Sequence, residues 1–323
     1  MAALVQPALT FRVDSASAYG SNTFWLQLTG VTNNTASLVI YVPGTATDNV
    51  YNLFFTTNLE TPCTWSRVMR CEPGQTNPVV TNLPPTQGFF MLGSPIRPGF
   101  DQQILAANDD LSTDLVPLPV TINFLSNSES ALYVNNNGNV TFDNLLSDYL
   151  MFPNNLAEEC VDYGVKIIAP FWADVDTLPP SPGVVEYGTN TVDGHVAFGV
   201  DWVNVGYFTY SGTGIDKLLS CQLVIIDRSD IASGDFDMEF NYDRVEWEAG
   251  DASGGIDGYW VGPSGGSARV GFSDGITDYE LPGSGVSRAL IDTNTVTGLV
   301  YNSTNTPVLG RYLFFFRNGQ PLP

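Results

Sequence analysis

The stretch Lys166–Thr177, K-I-I-A-P-F-W-A-D-V-D-T, constrains the chain more than any other. From Ile167 to Trp172 it runs without a charge and is β-branched and aromatic, which reads as a buried strand rather than an exposed one. Pro170 cannot donate a ladder hydrogen bond, so that strand lies at an edge or bulges there. Past Ala173 the segment delivers Asp174 and Asp176 to one rim of the sheet. Their spacing of two puts them on the same side if the strand continues.

The rest of the chain reads as strands packed around this one. Few segments carry an i, i+3, i+4 apolar pattern, whereas short alternating runs broken by Asn, Gly, Asp and Ser recur throughout, an all-β signature. With 43% hydrophobic residues in 323, there is enough apolar material for one or two cores. The 34 acidic residues outnumber the 12 Lys and Arg, a formal charge of −22. Nucleic acid is excluded as a partner on that balance, because duplex binding needs clustered cations, and so is adhesion to anionic lipid. No run approaches the roughly 20 apolar residues of a membrane helix. Met1 to Pro7 show neither the charged start nor the long apolar stretch of a signal peptide.

Strands are expected at Thr10–Ala18, Thr23–Thr29, Ser37–Val42, Val50–Thr56 and Trp65–Arg70, closing with Asn82–Gly93. These make a small β-module, residues 1–93. The Pro/Gly-rich Ser94–Gly99 opens a linker, 94–108, and the main domain runs 109–318 with a tail at 319–323. In the main domain, Ala131–Val134 and Asn139–Phe142 form a hairpin across Asn-Asn-Asn-Gly, while 143–164 reads as irregular. His195–Val203 alternates cleanly, and Leu218–Ile226 with Phe236–Tyr242 makes a second hairpin. On its second arm Asp235, Asp237, Glu239 and Asp243 share one face, read as solvated. The alternation then flips phase after Asp243, which requires a bulge there.

Four cysteines allow three pairings. Cys63 and Cys71 are spaced to close a small loop, and Cys160 and Cys221 remain to bridge two strands of the larger unit. Disulfides in an oxidising compartment are expected over four buried thiols, and no C-x-x-C spacing points to zinc. Asn33, Asn139 and Asn302 each open an N-x-[ST] sequon, a pattern that arises by chance in an Asn-rich chain.

Taken in order, L-Y-V-N-N-N-G-N-V-T-F, I-I-A-P-F-W-A-D-V-D-T, D-W-V-N-V-G, S-C-Q-L-V-I-I-D-R-S-D, F-N-Y-D-R-V-E-W and V-G-F-S-D-G resemble the nidogen-like (NIDO) extracellular domain of nidogens, tectorins and some membrane mucins. The resemblance covers about residues 109–318 and implies a β-sandwich of matrix or cell-surface proteins acting in adhesion, with no catalytic residues to carry over. Cys221 departs from it, standing where the family usually has an aromatic before Gln, so a Cys160–Cys221 bridge would be peculiar to this branch. Residues 50–93 resemble a small β-module of secreted bacterial proteins.

Candidate chemistry is sparse. Gly262–Gly266 fits G-x-S-x-G but lies in a Gly/Ser loop followed by a strand, where a nucleophile elbow needs a helix. His195, the single histidine, would have to serve as base for any such triad and sits on a solvated strand face instead. Asp174 and Asp176 cap the strand end, or ligate Ca²⁺ with other oxygens; paired acids of a glycosidase are the remaining alternative. The leading expectation is a non-enzymatic extracellular adhesion or matrix protein whose partners are extracellular proteins or glycans. A second is self-assembly, with the apolar strand Ala8–Val13 inserted into a neighbouring copy's sheet. A third is a carbohydrate-binding or carbohydrate-hydrolysing protein.

Overall fold

The computed structural model describes residues 25–32, 34–41, 51–57, 66–71, 74–83, 88–149, 155–262 and 265–322. The expected strand Ala8–Val13, Cys63, Asn33 and the Pro263–Ser264 centre of the elbow motif lie outside them. The chain divides into two compact units, 1–94 and 95–323.

The first unit contains two three-stranded antiparallel sheets. One is formed by β1 (Trp25–Thr32), β2 (Thr35–Tyr41) and β5 (Val79–Val80), the other by β3 (Tyr51–Thr56), β4 (Ser66–Cys71) and β6 (Phe89–Gly93). Strict alternation in β2 turns Ala36, Leu38 and Ile40 into a core shared with Leu53 and Phe55.

The second unit is an all-β sandwich. Its strands are β7 (Gln103–Leu105), β8 (Val116–Phe124), β9 (Asn127–Asn135), β10 (Asn139–Thr141), β11 (Ile167–Trp172), β12 (Val175–Asp176), β13 (Val185–Val192), β14 (His195–Thr209), β15 (Gly212–Asp227) and β16 (Phe236–Val245). They continue with β17 (Gly255–Ile256), β18 (Tyr259–Trp260), β19 (Arg269–Ser273), β20 (Asp278–Glu280), β21 (Arg311–Arg317) and β22 (Gln320–Pro321). One sheet runs β20-β19-β11-β10-β9-β8; the other, eight-stranded, runs β22-β21-β16-β15-β14-β13-β7 with β12 also paired to β14. Their inner faces share one core, including Phe171, Trp202, Phe240 and Trp247.

Strand β11 is interior, not an edge. The ladder to β19 slips between Ala169 and Trp172, so Pro170 is accommodated by a bulge. The expected slip on the second hairpin is present too: Ser220 pairs with Arg244 and Cys221 with Tyr242, leaving Asp243 as the extra residue.

Five expectations need correcting. The segment 94–108 is not a linker: Phe100 is buried against Val192, Ala197, Val224 and Ile226, and β7 joins the sheet through β13. Its Pro and Gly residues shape a strap across the outer face of the eight-stranded sheet. The tail is likewise part of the sheet, since β22 pairs with β21. Residues 143–164 contain a helix, α1 (Leu156–Tyr163), started by a capping box between Asn155 and Glu158 and ended by Gly164 in the left-handed region. Finally, Cys160 and Cys221 are separate buried thiols rather than a bridge. Cys160 is on the buried face of α1 with Leu156, packed with Trp172, whereas Cys221 is in the sandwich core.

The acidic stripe is also not solvated. Asp235, Asp237, Glu239 and Asp243 are all buried. Arg97 grips Glu239 through two hydrogen bonds of 2.6 and 2.8 Å, with Arg311 at 3.5 Å. Arg228 and Arg317 meet Asp237 at 2.8 and 2.6 Å. Burying Glu239 and Asp237 is tolerable because each gains planar guanidinium partners, and against the desolvation that opposes it Arg97 holds the Glu239 carboxyl below the usual range.

Candidate metal centre

The end of β11 and the two-residue β12 are clamped by the tight turn Asn135–Gly138. The Asn137 carbonyl accepts from Ala173 N at 3.2 Å, and its side-chain oxygen accepts from Val175 N at 3.0 Å. Asn136 donates to the Val175 carbonyl and accepts from Thr177 Oγ1. A second segment is stitched alongside: Thr177 N donates to Asn108 O and Asn108 N donates to Thr177 Oγ1. That brings Asp109 opposite Asp176 in an antiparallel pair. Asp110 follows with φ +68°, a conformation in which Asp and Asn are the commonest non-glycine residues.

The result is a convergence that the sequence spacing does not show. Ligand oxygens of Asp109, Asp110 and Asp174 all lie within 4.8 Å of one another. Among the described residues, none of the three is paired with a lysine or arginine. Asp110 accepts from Asn137 Nδ2 at 2.8 Å. Asp174 is 1% exposed, and Ser253 Oγ lies 3.3 Å from its Oδ2. That hydroxyl also donates to the Tyr149 carbonyl at 2.7 Å, so its one proton is shared between two acceptors. Asp109 Oδ1 is buried with no hydrogen-bond partner.

Burial, then the charges of Asp110 and Asp109, pushes the Asp174 carboxyl up to about 8. Burial, then Asp110 and Asp176, takes Asp109 to about 6, and burial raises Asp110. Three acids held this close repel one another unless protonated or bridged by a cation. Gly250 closes the far side: a Cβ there would sit 2.3 Å from Asp174 Oδ2.

Asp176 is not a member of this group. The Asp176 carboxylate accepts from Leu178 N at 2.8 Å and Thr213 Oγ1 at 2.7 Å, which is the capping role. The residues missed from sequence are Asp109 and Asp110; their only signal was the consecutive Asn-Asp-Asp of a polar segment. His195 lies elsewhere, 3.7 Å from Asp230. Two sequons are structurally engaged: Asn139 is fully buried, and Asn302 donates to the carbonyls of Val296 and Gly298.

The family model described as NIDO related matches residues 95–306, beginning where the second unit begins. The chain belongs to the NIDO-related family. Mouse (Mus musculus) alpha-tectorin is 30% identical to it over 228 residues, covering 64% of this chain and 10% of that protein. Human (Homo sapiens) alpha-tectorin is 28% identical over 228 residues and the chicken (Gallus gallus) protein 28% over 227, each with the same coverage. This NIDO-related chain thus spans about a tenth of the length of those curated relatives. No solved structure matches it significantly. Among the described residues, no helix is long and apolar enough to cross a membrane.

Proposed function

We propose that this NIDO-related chain is a non-enzymatic, extracellular structural protein whose sandwich is locked by Ca²⁺ at Asp109, Asp110 and Asp174. Family membership and the alpha-tectorin similarity support the structural role, with other extracellular proteins or glycans as its partners. The convergence of three carboxylates without a cationic side chain carries the calcium reading. Ca²⁺ takes six to eight hard oxygens in flexible geometry. Three carboxylates hold six, leaving carbonyls or water to complete the shell. Since Asp109 and Asp110 come from one segment and Asp174 from another, the ion ties the strap-bearing N-terminal edge of the domain to the end of β11.

The test is a calcium titration in the calorimeter beside thermal melting in EDTA. Extracellular sites of this kind bind at about 10⁻⁴–10⁻³ M. At tenfold over Kd the melting midpoint rises by roughly 3–6 °C. Near pH 7 Asp174 releases a proton on binding, so the apparent enthalpy depends on the buffer's ionisation heat. The sign of the metal-free pH dependence follows from the raised carboxyl. Between the unfolded value of 3.8 and the folded value of about 8, the folded state holds a proton that the unfolded state has lost. Stability in EDTA therefore falls as pH rises through that window. Asp174→Asn makes the fall shallower and abolishes the calcium response. An unchanged midpoint with Ca²⁺ at pH 7.5, or a full response in Asp174→Asn, sinks the calcium reading.

A further inference from the structure

At the open side of the sandwich the two sheets part. Strand β7 ends the eight-stranded sheet and β8 the six-stranded one. Between them lies a groove of about 570 Å³ whose apolar lining is Leu105, Leu115, Val116, Pro117, Tyr187 and Phe198, beside polar side chains that include Gln103 and Asp114. The outer edge of β7 has no strand beside it among the described residues, and Ile104 stands 59% exposed on its outward face. An unpaired edge beside an apolar slot is the geometry that accepts an added strand: backbone pairs with the edge while alternate side chains fill the slot.

The outward face specifies the other side of that strand. One cross-strand row reads Ile104, Glu186, Asp201, Gln222, Asn241, Arg311. At its far end Arg311 donates to Asn241 Oδ1 at 2.8 Å, and Gln222 Nε2 donates to Asp201. At the β7 end stand Glu186 and Asp201 with Asp101 close by, and among the described residues no lysine or arginine pairs with any of the three. Burial raises Asp201 to about 7, with Glu186 and Asp101 adding to the rise. This end of the sheet thus calls for a strand with apolar residues at alternate positions and a cation on the other face.

That pattern of residue types occurs in the sequence. In Leu9-Thr10-Phe11-Arg12-Val13, Leu9, Phe11 and Val13 fall on one face of an extended segment and Thr10 and Arg12 on the other. We propose that the groove between β7 and β8 receives the Leu9–Val13 segment of a second copy, with Phe11 in the slot and Arg12 over Glu186 and Asp101. Serial donation from copy to copy is a head-to-tail contact, which builds an open filament unless the rotation closes a ring. It rests on the structural-protein reading, not on the calcium centre, whose residues do not line the groove. The net charge of −22 opposes association. At 0.15 M salt, however, such repulsion is screened beyond about 8 Å, whereas the Arg12 contact is local.

Light scattering and negative-stain microscopy of the full chain at pH 7.4 and 0.15 M salt test this. The expected result is a mass that rises with concentration. Phe11→Asp abolishes the rise with the melting midpoint unchanged. Arg12→Glu weakens association by about tenfold or more, and adding Glu186→Arg to it restores association. A wild-type chain that stays at monomer mass overturns the proposal, whether its groove is empty or takes a foreign strand. So does assembly that survives Phe11→Asp, or an Arg12→Glu defect that Glu186→Arg fails to rescue. Repeating the series in EDTA and in Ca²⁺ separates a failure here from a failure of the calcium reading.

Discussion

Replacing Gly138 by alanine lowers the unfolding free energy by about 3 kcal/mol or more. The glycine has φ +75°, and a Cβ there would lie 1.8 Å from the Phe171 carbonyl oxygen, a backbone atom that cannot turn aside. Phe171 N also donates to Gly138 O, so the clash falls on the ladder that supports the end of β11. Relaxing it moves Asn137, and with Asn137 go the bonds to Ala173, Val175 and Asp110. The denaturation midpoint falls without a change in slope, and calcium affinity falls with it. Asparagine at this site tolerates the left-handed backbone but keeps the Cβ, so it does not rescue. A Gly138→Ala protein melting at the wild-type midpoint would show that the turn does not clamp the strand.

Glu248→Ala is expected to cost about 1–3 kcal/mol. The side chain is 1% exposed, and each oxygen accepts twice. Oε1 takes Trp260 N and Ser287 Oγ, both at 3.1 Å; Oε2 takes Ser267 Oγ at 3.0 Å and Arg288 N at 2.6 Å. One carboxylate thus gathers the end of β18, the lead into β19 and the 287–288 turn, and its removal takes an acceptor from all four donors, of which Ser267 is buried. Glu248→Gln keeps the shape yet turns an NH₂ group toward two donors, so it is destabilised as well. Hydrogen exchange localises the effect to residues 258–288. Glutamine behaving as wild type would mean that the carboxylate acts by packing alone.

Strand positions were legible because they depend on local pattern. The uncharged run at Ile167, the bulge forced by Pro170 and the phase slip at Asp243 each follow from a few adjacent residues. Long-range pairing was not. The acidic stripe reads as a solvated face because Arg97, which neutralises Glu239, is 142 residues away. Proline and glycine near Pro95 look like a linker, although Phe100 a few residues on is a core residue. The carboxylate cluster was half-visible for the same reason: Asp174 follows from the strand, but Asp109 and Asp110 reach it only through the Asn108–Thr177 stitch. The helix α1 was recoverable from Asn155 and Glu158, a capping box overlooked amid irregular sequence.

The two unbridged sulfhydryls of the sandwich have a practical consequence. Cys160 and Cys221 are 3% and 0% exposed, and burial pushes the Cys160 thiol up to about 12 and the Cys221 thiol well above its ordinary value. Neither presents a thiolate to solvent in the native state. An alkylating reagent therefore marks each only in molecules that have opened around it. Cys160 times the lifting of α1 and Cys221 the parting of the sheets, two native-state clocks that need no engineered label.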